Sequence, residues 1–223
     1  TVLAGDTGNE RFFHLNEYAF RGRSIPCKLT NSGRLYPSAN AHWLAQRMKI
    51  VLIVAQSLDG FITRHDEPGV AWASEADQRW FRNSLQQFDC QVMASGTYAT
   101  VRDHLQTKSG DDCLRIVMTR TPEAYRMDQQ TGALEFTNQS PQEILQSLAQ
   151  ANRNTCALLG GSMAHDAFLQ AGLVDEIWVT IEPKLFGQGT PVITQQQDQS
   201  LKIIDHQRLP DSDSLVIRYR VKR

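Results

Sequence analysis

The sequence predicts an α/β sandwich built on a mostly parallel sheet whose C-terminal edge is antiparallel. From Met48 onward, short apolar segments rich in β-branched residues alternate with segments whose apolar residues recur at helical spacing. Such alternation is typical of parallel strands joined by helices. The last two strand-like segments, residues 176–181 and 214–221, have a loop and no helical pattern between them. Parallel neighbours usually need a helical crossover, so this pair predicts an antiparallel edge.

The first predicted elements follow from burial and capping patterns. Residues 49–55 form an apolar, β-branched run that predicts a buried strand. Ser74 with Asp77 three residues later is typical of a helix start. The apolar stripe of that helix is Ala76, Trp80, Phe81, Leu85 and Phe88. Further strands are predicted at residues 91–94, 114–119 and 133–137.

The second half continues the same alternation. Ser140, followed by proline at the first helical position and by glutamate, predicts another helix start. Residues 156–159 predict a buried strand that runs into Gly160 and Gly161. The helix after these glycines is expected to end at Gly172, a typical C-terminal cap. The polar run 194–200 predicts a surface loop.

Residues 1–47 differ from the rest of the chain. They lack sustained periodicity, and glycine and proline interrupt them repeatedly. Their aromatic content exceeds that of a typical disordered tail. We therefore expect an N-terminal extension, residues 1–47, that packs on the main domain (residues 48–223) or on a partner subunit. A helical turn is expected in residues 39–47.

Composition excludes several classes of function. The 223 residues are 41% hydrophobic and 21% charged, with a formal net charge of -1, which gives no reason to expect nucleic acid or an acidic membrane as partner. No apolar run approaches the roughly 18 residues of a membrane helix. The first residues lack the apolar stretch of a signal peptide. No cysteine or histidine pattern indicates a metal site. We expect reduced cysteines and a cytoplasmic protein.

Two motifs have the residues that a ligand site needs. Gly160 and Gly161 follow a strand and open a helix, where free N–H groups and the helix dipole suit a pyrophosphate. The same glycines also occur in tight turns without a ligand, and the G-x-G-x-x-G pattern of Rossmann folds is absent. Ser57, Asp59 and Gly60 end the first strand, in a pattern that also occurs in ordinary turns.

In order and spacing, residues 54–62, 158–162, 172–176 and 183–189 resemble the reductase family related to dihydrofolate reductase. In particular, they resemble the C-terminal reductase domain of the bifunctional riboflavin-biosynthesis deaminase–reductase. The resemblance implies a dihydrofolate reductase-like three-layer sandwich for residues 48–223. It also implies NADPH as cofactor, a small-molecule substrate and a homodimer. The implied reaction passes a hydride to C1′ of the ribosylamino-pyrimidine of riboflavin biosynthesis, namely 5-amino-6-(5-phosphoribosylamino)uracil.

The resemblance also implies roles for individual residues. Asp59 and Ser57 are the implied catalytic pair, with Asp59 assisting proton movement by analogy. Thr97 is also expected to cap its helix. The implied cofactor residues are Ala55, Gly96, Thr97, Thr119, Arg120, Gly160, Gly161 and Ser162. The implied substrate residues are Trp72, Ser74 and Arg82.

The sequence departs from the family pattern on the substrate side. Leu159 stands where an acidic residue commonly precedes the paired glycines. The arginine positions of the family that hold the ribose phosphate fall on Gln78 and Leu85. Two alternatives therefore stay open. One is a reductase of dihydrofolate or of another heterocycle, and the other is a non-catalytic nucleotide-binding homologue.

Overall fold

The computed structural model describes residues 18–20, 23–25, 27–29, 35–37, 48–106 and 112–223. Its contacts divide the chain into two units, residues 1–47 and 48–223. In the first unit, strands β1 (Tyr18–Phe20) and β2 (Arg23–Ile25) pair antiparallel, as do β3 (Cys27–Leu29) and β4 (Leu35–Pro37). The sequence did not predict these short strands. The helical turn expected in residues 39–47 lies outside the described residues, as do the aromatic side chains of the extension.

The second unit is built on one sheet, which has eight strands among the described residues, in the order β11-β12-β10-β5-β9-β6-β7-β8. The six neighbouring strands β10, β5, β9, β6, β7 and β8 run parallel to one another. Strand β12 is antiparallel to both of its neighbours, β10 and β11. The predicted parallel sheet with an antiparallel C-terminal edge is therefore confirmed. The strands are β5 (Lys49–Ser57), β6 (Cys90–Ala94), β7 (Leu114–Met118), β8 (Leu134–Thr137), β9 (Thr155–Gly160), β10 (Glu176–Glu182), β11 (Leu201–Arg208) and β12 (Leu215–Val221).

Helices cover both faces of the sheet. Helices α1 (Glu75–Leu85) and α2 (Ser95–Gln106) lie on one face, and α3 (Pro141–Gln150) and α4 (Ser162–Gln170) lie on the other. The alternation of side chains along β5 produces this arrangement, because successive residues point to opposite faces. Val51 packs in a cluster with residues of α1, whereas Ile50 packs in a cluster with residues of α3 and α4. The result is the predicted three-layer sandwich.

Local capping signals place the helices as the sequence predicts. The Ser74 hydroxyl accepts a hydrogen bond from the Asp77 amide, which starts α1. Ser140 and Glu143 form a reciprocal capping box at the start of α3. Gly172 follows α4 with φ at +65°, a conformation that favours glycine.

Strand β11 has no counterpart among the elements predicted from the sequence. All eight of its residues are exposed, and most are polar or charged. A strand at a sheet edge with no buried face lacks the alternation by which strands are recognised. Among the described residues, no helix is long and apolar enough to cross a bilayer.

Candidate active site

The carboxyl ends of the central parallel strands bring the two predicted motifs to one edge of the sheet. Strand β5 ends at Ser57, which pairs in register with Glu182 at the end of β10, and Ala55 pairs with Thr180. Strand β9 ends at Gly160, which pairs with Met93 of β6. Ligands of open α/β sheets bind at this edge, outside the carboxyl ends of the strands.

The glycine pair lies against the start of α2. Gly160 has φ at +105°, and a Cβ atom added there would lie 3.0 Å from Nε2 of His165. A Cβ atom at Gly161 would meet the Thr97 hydroxyl at 3.6 Å, and one at Gly96 would meet no atom within 4 Å. The structure therefore brings Gly161 and Thr97 together and leaves space open at Gly96, whereas Gly160 lies against His165.

Two details differ from the expectation for this region. Helix α2 begins at Ser95, so Thr97 lies within its first turn, and the prediction that Thr97 caps the helix is wrong. Ser162 is buried at the start of α4, and its hydroxyl donates to the carbonyl of Pro191. That hydroxyl is engaged within the protein, and the Ala164 and His165 amides donate to the Gly161 carbonyl. The backbone amides of Ser162 and Met163 are therefore the groups of this turn that suit an anion.

The turn after β5 holds Ser57 and Asp59 in direct contact. The Ser57 hydroxyl donates to Asp59 at 2.6 Å and accepts from the Phe61 amide at 3.0 Å. Asp59 also accepts from the backbone amides of Phe186 and Gly187. The Ser57 hydroxyl and then the Gly187 amide lower the pKa of Asp59, because these hydrogen bonds favour the ionised carboxylate. Asp59 is therefore an ionised acceptor that holds two segments of chain together.

The predicted substrate residues Trp72 and Ser74 also reach this edge. The amide and the hydroxyl of Ser74 both donate to the buried Glu182, at 3.0 and 2.8 Å. Trp72 packs edge-on against Phe186, with ring centroids 5.1 Å apart, and its carbonyl accepts from the Lys184 ammonium. The buried indole N–H of Trp72 has no hydrogen-bond partner among the described residues.

Arg82 does not join the other predicted substrate residues. It is exposed in the last turn of α1, whereas the site lies at the first turn. At 1.5 Å per residue, Arg82 lies about 12 Å along the helix from Ser74. Its predicted contact with substrate stays a prediction.

Thr119 and Arg120 follow β7 at the same edge of the sheet. Strand β7 lies two strands away from β9, which at ordinary strand spacing is about 10 Å. The Thr119 hydroxyl accepts from the Thr121 amide, and the Arg120 side chain is exposed. An extended dinucleotide spans such a separation, so the two positions are compatible with one ligand.

Sequence reasoning missed a carboxylic acid at this site. Asp77, which the sequence predicts only as part of a helix start, is just 5% exposed. Burial raises the pKa of Asp77 from 3.8 to about 6; the Thr180 hydroxyl opposes this shift, and the Glu182 carboxylate adds to it. A signal for Glu182 was present, because a charged residue ends an otherwise mostly apolar strand. Burial of Asp77 has no comparable signal in the local sequence.

Within residues 48–106 and 112–223, no group of three or more histidine, cysteine, aspartate or glutamate side chains is placed to hold a metal ion. The polar groups at the strand ends are instead hydroxyls, carboxylates and backbone amides. Such groups are suited to holding and orienting an organic ligand.

Comparison with known proteins places the fold. Protein YwjB of Bacillus subtilis (strain 168), named as uncharacterized, is 24% identical over 155 residues, which cover 68% of this chain and 86% of YwjB. The crystal structure of a diaminohydroxyphosphoribosylaminopyrimidine deaminase/5-amino-6-(5-phosphoribosylamino)uracil reductase from Thermotoga maritima is 17% identical, with a TM-score of 0.64 over 80% of this chain. This chain spans 58% of the length of that protein.

The structure of dihydrofolate reductase from Enterococcus faecalis complexed with NADP(H) and RAB-propyl is 18% identical, with a TM-score of 0.54 over 80% of this chain and 98% of that enzyme. At these identities, both structures establish the dihydrofolate reductase-like fold alone. A sequence model of the RibD C-terminal domain matches residues 48–215. Because this match covers more than half of the 223 residues, the chain belongs to the RibD C-terminal domain family, a reductase family of riboflavin biosynthesis.

Proposed function

We propose that the protein is an NADPH-dependent reductase that reduces 5-amino-6-(5-phosphoribosylamino)uracil or a closely related heterocycle. One observation carries the proposal. The glycine pair at the end of β9, Gly96 and Thr97 in the first helical turn of α2, and the Ser57–Asp59 turn converge at the carboxyl edge of one parallel sheet.

The residues at this edge fit a dinucleotide. The amides at the start of α4 would hold the pyrophosphate, with Gly161 and Gly96 leaving room for it. Thr119 and Arg120 would contact the 2′-phosphate, for which a guanidinium and a hydroxyl are suited. The backbone of Ala55 would contact the nicotinamide. NADPH supplies the hydride when bound, and the protein supplies orientation and electrostatics.

Ser57, Asp59 and Asp77 take different roles in this proposal. Asp59 was predicted to assist proton movement. Its lowered pKa and its two backbone amide partners favour a positioning role instead. Ser57 holds that carboxylate in place. With its pKa near 6, Asp77 is the better candidate to exchange a proton at neutral pH.

Calorimetric titration with NADPH and NADH tests the cofactor assignment. We expect micromolar binding of NADPH and clearly weaker binding of NADH. Gly161→Ala should weaken NADPH binding at least about tenfold, or about 1.4 kcal/mol, while the fold accommodates the methyl group at ordinary contact distance. Absence of binding to the wild-type protein, or unchanged affinity of folded Gly161→Ala, would contradict the assignment.

Gly132→Ala is the matched control for that variant. Gly132 has φ at +78° in a turn outside the site, and a Cβ atom there would meet no atom within 4 Å. The substitution should therefore cost about 1 kcal/mol of stability through backbone strain and leave NADPH affinity unchanged. It separates loss of stability from loss of the binding site.

The buried carboxylates favour a second candidate function, reduction of dihydrofolate or another heterocycle that carries no phosphate. Asp77 and Glu182 lie on the proposed substrate side, whereas Arg82 lies about two turns away. Turnover of dihydrofolate without turnover of the ribosylamino-pyrimidine would decide for it. Nucleotide binding with no turnover of either would instead support the non-catalytic homologue. A homodimer is also proposed, which sedimentation equilibrium tests.

A further inference from the structure

The segment between β10 and the polar stretch before β11 connects the two ends of the proposed site. We call residues 183–195 the bridging loop. At one end, its Phe186 and Gly187 amides donate to Asp59 of the turn after β5. At the other end, the Thr194 and Gln195 amides donate to Asp166 of α4, at 3.1 and 3.3 Å.

The middle of the bridging loop lies tightly against the chain after the Ser57–Asp59 turn. The Ile62 amide donates to Thr190, and the Thr190 amide donates to the Thr63 hydroxyl, both at 2.8 Å. Gly189 has φ at +152°, and a Cβ atom there would lie 2.3 Å from the Thr63 carbonyl oxygen. The path of the bridging loop is therefore fixed along its length.

The anchors on α4 are buried and lie within the first five residues of the helix, directly after the glycine pair. Asp166 is 4% exposed, and it also accepts from the Thr194 hydroxyl. His165 is fully buried, and its Nδ1 donates to the Val192 carbonyl at 2.9 Å. The other ring nitrogen of His165 lies beside Gly160. Helix α4 thus contacts the proposed pyrophosphate residues on one side and the bridging loop on the other.

We infer that Asp166 is a positioning residue of the site. By fixing the bridging loop at the end that lies beside the proposed pyrophosphate residues, Asp166 holds the Ser57–Asp59 turn in place at the other end. The inference rests on the proposed function for the identity of the ligand groups that bind at the two ends of the site. Asp166 and Asp59 have no partner residue in common in these contacts. The hydrogen bonds that these two carboxylates accept therefore connect Asp166 to Asp59 through the bridging loop.

Hydrogen exchange on the full chain tests the mechanical part without any ligand. In Asp166→Ala, the amides of Phe186 and Gly187 should exchange at least about tenfold faster than in the wild-type protein, because the anchor at Thr194 and Gln195 is released while the His165 contact to Val192 remains. Asp89→Ala is the matched control, since Asp89 accepts from the Asn154 and Thr155 amides at the opposite end of the strands. Acceleration confined to residues 194–195, or equal acceleration in the control, would overturn the inference.

If Asp166→Ala does not fold, Thr194→Val provides the same test. It removes the hydroxyl that donates to Asp166 and leaves the buried carboxylate in place. We expect a smaller acceleration that again reaches Phe186 and Gly187. Unchanged exchange at those two amides in a folded variant would overturn the inference.

A double-mutant cycle on NADPH affinity tests the connection to function. Asp59→Ala and Asp166→Ala should each weaken NADPH binding about fivefold. The double variant should bind NADPH as tightly as the weaker-binding of the two single variants, because both substitutions release the same bridging loop. Asp59→Ala combined with Asp89→Ala should give the effect of Asp59→Ala alone. Effects that multiply in the first cycle would overturn the inference. Absence of NADPH binding in the wild-type protein would overturn the proposed function and leave the exchange result standing.

Discussion

Replacing Asp77 by asparagine should make the protein more stable at neutral pH. The carboxyl of Asp77 is buried. Burial raises its pKa from 3.8 to about 6, although the hydrogen bond with the Thr180 hydroxyl acts in the opposite direction. The folded protein therefore binds the proton of Asp77 more tightly than the unfolded chain does. Stability from this group is complete below pH 3.8 and is lost as the pH rises through about 6.

The size of the effect follows from the shift in pKa. Each tenfold change in proton affinity corresponds to about 1.4 kcal/mol, so the shift of Asp77 corresponds to about 3 kcal/mol above pH 6. Asparagine has nearly the same shape and carries no charge, so Asp77→Asn removes this penalty and the repulsion from Glu182. The loss of a negative charge in the first turn of α1 subtracts about 0.5 kcal/mol. The net gain at pH 8 is therefore about 2.5 kcal/mol.

Urea unfolding at several pH values between 4 and 8 measures the effect. The wild-type protein and Asp77→Asn should differ little near pH 4 and by about 2.5 kcal/mol at pH 8, with equal denaturant slopes. Asp66→Asn is the control, because Asp66 is exposed and its replacement should leave the pH dependence as it is in the wild-type protein. A variant that is less stable at pH 8, or that keeps the pH dependence of the wild-type protein, would refute the reasoning.

Three further predictions follow from single contacts. Gly189→Ala should lower the free energy of unfolding more than Gly132→Ala does, for which about 1 kcal/mol is expected. The reason is that the new Cβ atom at position 189 would lie 2.3 Å from the Thr63 carbonyl oxygen. Equal losses in urea unfolding would count against this. Ser140→Ala should cost about 1 kcal/mol in the same assay by removing the capping box of α3, with no change in NADPH affinity. Arg120→Ala should weaken NADPH binding by about tenfold and leave NADH binding unchanged, and equal weakening of both in calorimetry would contradict a role at the 2′-phosphate.

The sequence predicts the elements whose signals are local. Strand β5 is recognisable because its side chains are largely buried on both faces, which requires a continuous apolar run. Ser74 and Ser140 mark helix starts because each cap is completed within three residues. Strand β11 leaves no such signal, since its stability comes from pairing with β12 and not from burial.

The candidate site is only partly predictable for the same reason. Glycines at the end of β9 can be recognised because small residues between a strand and a helix are themselves a pattern. The pKa of Asp77 is raised mainly by burial in the folded protein, and the two side chains that also act on it, Thr180 and Glu182, lie about a hundred residues away in the chain. The hydroxyl of Ser162 matched the family motif, yet its actual partner, the carbonyl of Pro191, lies in a loop with no pattern of its own.

Two carboxylates at one edge of the sheet thus have pKa values shifted in opposite directions. Hydrogen-bond donors surround Asp59 and keep it ionised, whereas burial beside Glu182 makes Asp77 hold a proton more tightly. A buried carboxyl that lowers stability at neutral pH is the kind of feature that proteins keep where function requires it. If Asp77 exchanges protons in the reaction, Asp77→Asn should therefore be both the more stable and the less active protein. A variant that gains stability and keeps full turnover would assign Asp77 to the fold alone and leave proton exchange to another group at the same edge.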